Sequence, residues 1–433
     1  MDFVLEGCVS ISDTSGNLLF YSDGWKVWNK NHQVMPNGMS LIIYGAPTTS
    51  QILSVPKPEN ENIHYIFSLG YDSTGFDGEW RYAIVDMSLQ SGLGDVLTKR
   101  NFLCNNATET MTAVRHANNN DIWIITMQRN TNSFYSYLLT SAGLNTTPVI
   151  SNAGFSTDHM IFLKASPDGK KLAVAFLFNG PEILDFDKST GMVSNPILFP
   201  PISGQSNSYG PEFSPDNKKL YFIYMLEITP AVTFTNPVYQ IDLIGTPSQI
   251  LNSKILLDSF IVNDSFATNF NDNFTSALQL GPDYKIYGAK YTRSKLAVIN
   301  SPNTLGVGCN FIDSAVYLQG KICGFGLPNF MNDYFFDSAL ISVTEVSEVQ
   351  EPIICYPNPF NYTANIIIPS SLNIMVIEML DLLGRKIEIK KKITKENGKT
   401  VVTIERNNLP VGIYLLNIKT NNNIYSQKLV ITN

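Results

Sequence analysis

The chain is poor in the residues from which most catalytic and metal centres are built. Its 433 residues include four histidines, His32, His64, His116 and His159, scattered singly and with no H-E-x-x-H pattern, so a histidine-rich metal site is not expected. Five cysteines, Cys8, Cys104, Cys309, Cys323 and Cys355, are too few and too dispersed for a disulfide framework. No C-x-x-C occurs, which excludes a zinc knuckle and a thioredoxin-type pair. They read as small buried apolar residues, although Cys309 and Cys323 would bridge if the blade between them folded back. A G-x-S-x-G elbow, a Walker loop and a complete G-x-G-x-x-G are also missing; Gly92-Leu-Gly94, Gly306-Val-Gly308 and Gly324-Phe-Gly326 lack the third glycine.

Long apolar runs are lacking too. None approaches the ~18 residues of a spanning helix, and Leu172 to Phe178 is among the longest. Charged residues make up only 15%, and the net charge of −7 gives no general attraction to nucleic acid. Met1 to Glu6 has neither the basic start nor the apolar stretch of a secretory leader. Taken alone, that start argues for a cytoplasmic protein; the C-terminus argues the opposite.

What is present is 44% apolar residues, enough for a folded protein, and a sharp change of character near the end. Residues 351–433 carry 10 basic and 6 acidic side chains, and the remainder 20 and 31, which points to two units. The basic excess gathers between Arg385 and Lys399, including Lys390, Lys391 and Lys392. Such a run reads first as a solvated face and second as a binder of phosphate or lipopolysaccharide.

From about residue 7 to 340 the chain reads as short strands broken by turns: Asn17–Tyr21, Ile63–Phe67, Arg81–Val85, Ile122–Thr126, Phe134–Leu139, Leu172–Phe176, Leu220–Tyr224 and Val238–Leu243. No sustained 3.6-residue period marks a core helix. A repeat sharpens the reading. Lys164-Ala-Ser-Pro-Asp-Gly-Lys-Lys-Leu recurs as Glu212-Phe-Ser-Pro-Asp-Asn-Lys-Lys-Leu, and more weakly as Leu278-Gln-Leu-Gly-Pro-Asp-Tyr-Lys-Ile. Each is a hairpin turn: Pro167, Pro215 and Pro282 preset φ, Asp168, Asp216 and Asp283 cap, and Gly or Asn accepts positive φ. Proline spacings of 48 and 67 fit the ~40–50-residue, four-stranded unit of a β-propeller with one inserted loop. Ser10 to Trp28 and Val114 to Leu139 are further units. In the second, His116 ahead of Asp121-Ile-Trp123 reads as a structural histidine. The count is six or seven blades, with 323–337 as the closing region.

Several phrases in order, among them Glu6-Gly-Cys-Val-Ser-Ile-Ser-Asp13, Asn29 to Gly38, Tyr82-Ala-Ile-Val-Asp-Met-Ser88, Arg115 to Trp123 and Gly326-Leu-Pro-Asn-Phe330, resemble the propeller module of Bacteroidota surface proteins. Such modules begin earlier, behind a leader and an opening strand, so the first blade is expected to be incomplete.

A polar connector leads to Pro352, giving an expected division into propeller (1–340), linker (341–352) and a C-terminal unit (353–433). That unit alternates polar with apolar at Lys386-Ile-Glu-Ile-Lys390, turns at Asn397-Gly398, and continues in strands Val401–Ile404 and Gly412–Ile418. A small Ig-like β-sandwich fits. Four elements follow in order: Tyr356-Pro357-Asn358-Pro359-Phe360, Asp381-Leu-Leu-Gly384-Arg385, Leu409-Pro-Val-Gly412-Ile-Tyr414, and a last strand from Lys428. Physically these read as a stiff extended entry, a tight turn eased by Gly384, a close backbone approach at Gly412, and a closing strand. Together they resemble the type A C-terminal sorting domain of the type IX secretion system. That resemblance implies recognition by the outer-membrane translocon, removal by a sortase-like cysteine protease, and release or attachment to anionic lipopolysaccharide. It also implies a leader upstream of Met1.

No catalytic residue and no cofactor is assigned. Asp185-Phe-Asp187-Lys-Ser189-Thr-Gly191 has alternating oxygens like a calcium loop but lacks the remaining ligands, and a turn explains it equally. Asp72, Asp77 and Glu79 beside Trp80 form an acidic loop that reads as solvated before it reads as a sugar contact. The leading expectation is a non-enzymatic secreted binder of glycan or protein. The others are an adhesin or motility-associated protein and an extracellular hydrolase or lyase, which carboxylates or histidines at the channel mouth would favour and a plugged channel would oppose.

Overall fold

The structure is a computed structural model describing residues 7–42, 52–71, 78–157, 160–201, 206–229, 233–263, 275–332, 354–369, 374–381, 385–396, 399–420 and 424–432. The chain forms two compact units, residues 1–342 and 343–433.

The first unit is a β-propeller with six blades among the described residues. Its antiparallel sheets of successive strands span 9–39, 53–104, 107–157, 160–198, 206–263 and 275–317. Each has four strands except the third, in which Val149–Thr157 adds a fifth by pairing with Thr131–Thr140. The first sheet contains four strands, Val9–Ser12, Leu18–Ser22, Lys26–Asn29 and Val34–Met39. First strands of neighbouring blades touch in sequence from Val9–Ser12 through to Thr275–Leu280.

Burial follows the blades. Apolar clusters lie at the boundary of blades one and two (Ile11, Phe20, Ile66, Val85), two and three (Phe67, Trp80, Met111, Ile124), and three and four (Trp123, Ile125, Leu163, Leu172). Others join four to five (Ala173, Phe213, Phe222) and five to six (Tyr221, Ile223, Leu280, Ile286). Strands buried on both faces explain runs such as Leu172 to Phe176, all fully buried. Between blades six and one, residues 323–329 wedge in. Cys323 bridges Tyr291 and Pro328 bridges Cys8, both parallel, and the Ala277 amide donates to the Phe325 carbonyl. The expected closing strand is thus a pair of isolated bridges; residues 333–337 lie outside the described residues.

The repeat turns form as their chemistry dictates. Ser166 Oγ donates to Asp168 Oδ1 (2.6 Å) and accepts from the Lys171 amide; Ser214 and Asp216 repeat this with Lys219. Gly169 and Asn217 take positive φ, as expected, but in the third copy Tyr284 does so at 62°. The turns also stitch the ring: Asn217 Oδ1 accepts from the Asp168 amide, and Asn303 Oδ1 from the Asp216 amide. The following lysines do not all face water. Lys219 is buried and pairs with Asp242, because its strand lies against a neighbouring carboxylate rather than solvent. One short helix, Pro247–Asn252, has a capping box of Thr246 with Gln249 and proline at its start; six residues leave no period to read.

His64 sits in the second strand of blade two, 3% exposed and edge-on to Phe20. Burial pushes its pKa down to about 4. The folded ring therefore stays neutral where an unfolded chain, near 6.5, takes up a proton. Stability from this residue is fully present above pH 6.5 and is lost as pH falls toward 4, by roughly 3 kcal/mol. Urea titrations between pH 7 and 4 should show that slope, and His64→Leu should flatten it; an unchanged slope would refute the assignment.

The C-terminal unit is a sandwich of two four-stranded sheets. One orders Ile354–Tyr356, Thr363–Pro369, Lys399–Glu405 and Lys390–Glu396; the other Lys386–Ile387, Ile374–Leu380, Gly412–Thr420 and Ile424–Ile431. Alternate residues of both, including Ile366, Ile368, Val402, Ile404, Met379, Leu416, Ile418 and Leu429, form the core. The alternating stretch from Lys386 to Lys390 is not one strand. The chain changes sheets within it, so Lys386–Ile387 pairs with Met379 and Leu380 while Lys390 opens a strand opposite. Asn397 and Gly398 lie outside the described residues; the Glu396–Lys399 pair flanks them as in a tight hairpin.

Candidate functional site

In the C-terminal unit, elements far apart in sequence gather at one end of the sandwich. Phe360 is buried and exchanges backbone bonds with the final strand: its amide donates to the Val430 carbonyl and its carbonyl accepts from Thr432. Asn358 Oδ1 accepts from the Val430 amide at 2.8 Å. The bonds preceding Pro357 and Pro359 are both cis. Tyr356 instead projects outward, 71% exposed, as does Tyr362 at 78%.

Leu409 to Tyr414 reaches the same end, since Gly412 pairs with Ile431. Tyr414 packs into the core and its hydroxyl donates to the Pro410 carbonyl. Gly412 makes no close approach: an added Cβ would meet only Tyr414 Cε2, at 3.9 Å. Asp381 follows Leu380, which pairs with Leu415, so its turn lies at this end too. There Asp381 Oδ2 accepts from Arg385 Nε at 2.7 Å and Oδ1 from the Arg385 amide. Gly384 lies outside the described residues, and Lys428 is in the final strand opposite Leu415.

The residue that joins these pieces is one the motifs do not contain. Arg406 donates through Nε to the Leu409 carbonyl (3.1 Å) and through Nη1 to the carbonyls of Thr432 (2.8 Å) and Asn361 (3.5 Å). It lines a groove of about 580 Å³ with Tyr362, Asn407, Asn408 and Leu409. Its backbone amide donates to the Tyr362 carbonyl. The available signal was an arginine closing the strand that precedes Leu409; nothing local showed its partners.

In the propeller, the polar concentration is at the axis. Lys164, Glu212 and Gln279, on the first strands of blades four, five and six, each stand three residues before a repeat proline and are buried. Lys164 Nζ donates to Gln279 Oε1 (2.5 Å) and Asn329 Oδ1 (3.3 Å) and lies 3.6 Å from Glu212 Oε2. Glu212 accepts from the Leu280 and Phe213 amides and from Asn332 Nδ2 (2.7 Å). Asn332 Nδ2 also donates to the Ala165 carbonyl, and Met331 is buried in the core between blades two and three. Residues 329–332 therefore plug the channel. Burial pushes the Lys164 amine down and the Glu212 carboxyl up.

The other candidates resolve differently. Asp187 accepts from the Ser189 hydroxyl and amide, and these bonds hold its carboxyl at about 2; Asp185 is taken by Lys171 and Asn195. Among the described residues no group of three or more His, Cys, Asp or Glu side chains is placed to hold a metal. Trp80 is fully buried, its Nε1 donating to the Thr108 carbonyl, so it offers no face to a sugar; Glu79 pairs with Arg81, and Asp72 and Asp77 lie outside the described residues. His116 accepts from the Asn118 amide at Nδ1 beside Trp123; His159 lies outside the described residues. The basic run forms a sheet-edge strand, where Lys390 pairs with Glu405 and Lys391 donates to the Ile377 carbonyl. Charge at such an edge discourages further strand pairing. The cysteines are all free thiols, with Cys104, Cys309 and Cys323 buried.

Residues 354–432 match the family described as secretion system C-terminal sorting domain. The C-terminal unit is thus a type IX sorting domain, and the chain is a secreted propeller protein that this domain carries to the cell surface or extracellular space through the type IX machinery. No curated protein matches the chain. Solved structures similar to it include propellers. The Dos1 propeller shares 9% identity, with 92% of this chain and 82% of that one covered and a TM-score of 0.42. The Cps50 (Swd1) propeller of Myceliophteria thermophila shares 10%, covering 66% and 80%, at 0.39. Hsv2 of Kluyveromyces lactis shares 10%, covering 67% and 76%, at 0.37.

Proposed function

We propose that the mature protein is a non-enzymatic binding propeller acting outside the cell on a glycan or protein, after its sorting domain has been recognised and removed. Recognition falls to the end of the sandwich where Tyr356, Tyr362, the Asp381–Arg385 turn and the Leu409–Tyr414 segment converge. The observation that carries the binding reading is the plug. Asn329, Met331 and Asn332 are buried at the axis, where a propeller enzyme would converge its polar groups, and Asn332 bonds to Glu212 there. Binding is accordingly assigned to the blade loops.

The test is the intact mass of the native protein from producing cells and their medium, followed by screening of that species. A protein outside the cell that lacks the region beyond about Cys355 and binds a glycan or protein without turning it over is expected. A full chain retained in the cytoplasm overturns the sorting reading, and catalytic turnover of an extracellular polymer or lactone overturns the binding one.

A further inference from the structure

We propose that Lys164 and Asn329 are joined by an amide bond that the folded propeller makes by itself, tying the axial plug covalently to blade four. The geometry supplies the three groups the reaction needs. Lys164 Nζ is the nucleophile, already in contact with the Asn329 carboxamide through Oδ1 at 3.3 Å. Glu212, 3.6 Å from the same nitrogen, is the proton carrier. All three side chains are buried, so water neither solvates the amine nor competes for the carboxamide.

Burial also selects the reactive protonation state. A dry axis disfavours the separated charges of an ammonium and a carboxylate. The shifts run accordingly, Lys164 down and Glu212 up, although the attraction between the two charges opposes both and hydrogen bonds from Leu280, Phe213 and Asn332 further oppose the latter. A free amine beside a carboxylic acid is the pair required.

The step balances without any co-reactant. The Lys164 nitrogen lone pair adds to the Asn329 carboxamide carbon, and the carbonyl π electrons move onto Oδ1. Glu212 takes a proton from the attacking nitrogen and, once both nitrogens share the tetrahedral carbon, passes one to Nδ2. As the carbonyl re-forms, the bond from carbon to Nδ2 breaks. The products are a secondary amide and ammonia, and Glu212 ends in its starting state. Holding the groups in contact replaces the encounter that makes amide exchange slow in solution.

Gln279 is the rival electrophile, since its Oε1 is nearer the amine. Its amide nitrogen, however, donates to the Leu280 carbonyl and to Asn332 Oδ1, and leaving would strand both acceptors. Asn329 Nδ2 is buried with no acceptor among the described residues, so its departure breaks no hydrogen bond. The consequence matches the fold: the wedge between blades six and one continues into this plug, and the amide would fasten the ring at its closing point.

The test is a peptide map of the purified full chain, unfolded and digested with trypsin. The expected product is a branched peptide, uncut after Lys164, linked through Asn329 to the peptide that begins at Ile322 and lighter than the two together by one ammonia. Separate peptides of full mass, with cleavage after Lys164, overturn the proposal, as does a branch onto Gln279. Glu212→Gln should abolish the branch in a chain whose circular dichroism remains that of the propeller; a branch that persists removes Glu212 from the mechanism. Should that variant fail to fold, the wild-type map still decides.

Discussion

Gly210→Ala is expected to destabilise the propeller by about 3–5 kcal/mol, several times the effect of the same change at Gly16. Both glycines have positive φ, 51° and 82°, so both substitutions incur the left-handed cost of a Cβ, about 1–2 kcal/mol. Their surroundings differ. At Gly16 a Cβ meets nothing within 4 Å, whereas at Gly210 it would lie 2.7 Å from Ala277 Cα, 2.8 Å from the Ser276 carbonyl and 2.9 Å from the Leu278 amide. All three are backbone atoms of blade six, which cannot rotate aside. The first strands of blades five and six must separate, and Glu212, two residues on, is then drawn from the Leu280 amide it holds at 3.0 Å. Thermal or urea unfolding of the two variants beside wild type is the measurement. Equal losses would show that the close approach of these strands carries no energy of its own.

This contrast also shows what was legible in the sequence and what was not. The blade turns were readable because each is closed within a few residues: Ser166 and Asp168, or Ser214 and Asp216, satisfy one another locally. The sandwich was readable from alternation, since each strand's apolar face is written at a spacing of two, as in Ala364, Ile366 and Ile368. The repeat alignment even placed Lys164, Glu212 and Gln279 in equivalent positions. It did not reveal that they meet, because the contacts that unite them with Asn329 and Asn332 span 53 to 165 residues and carry no local pattern. The same limit hid the burial of Trp80. A tryptophan at the end of an acidic, glycine-containing stretch looks exposed until the third blade's Thr108 is seen to lie against it.

Arg406→Ala is expected to reduce the amount of protein outside the cell by at least tenfold, with Arg406→Lys rescuing little. The arginine holds the carbonyls of Leu409, Asn361 and Thr432 with one planar group, thereby fixing the segment after Phe360, the segment before Tyr414 and the chain's last strand in one arrangement. Hydrogen bonds from a charged donor contribute about 1.5–3 kcal/mol each, so losing three removes enough to free that end even after discounting the longest. Lysine keeps the charge but has no fork with which to reach carbonyls on different segments. The appropriate control is Lys392→Ala, which alters an exposed position on the sheet-edge strand and is expected to export normally. The measurement is the extracellular and cell-retained fraction of each full-length variant, with the circular dichroism of the retained protein recorded to show that the propeller has folded. Normal export of Arg406→Ala would mean that the translocon reads the motifs one by one. Loss of export with a folded propeller would mean that it reads the end of the sandwich as a single surface, which Arg406 assembles.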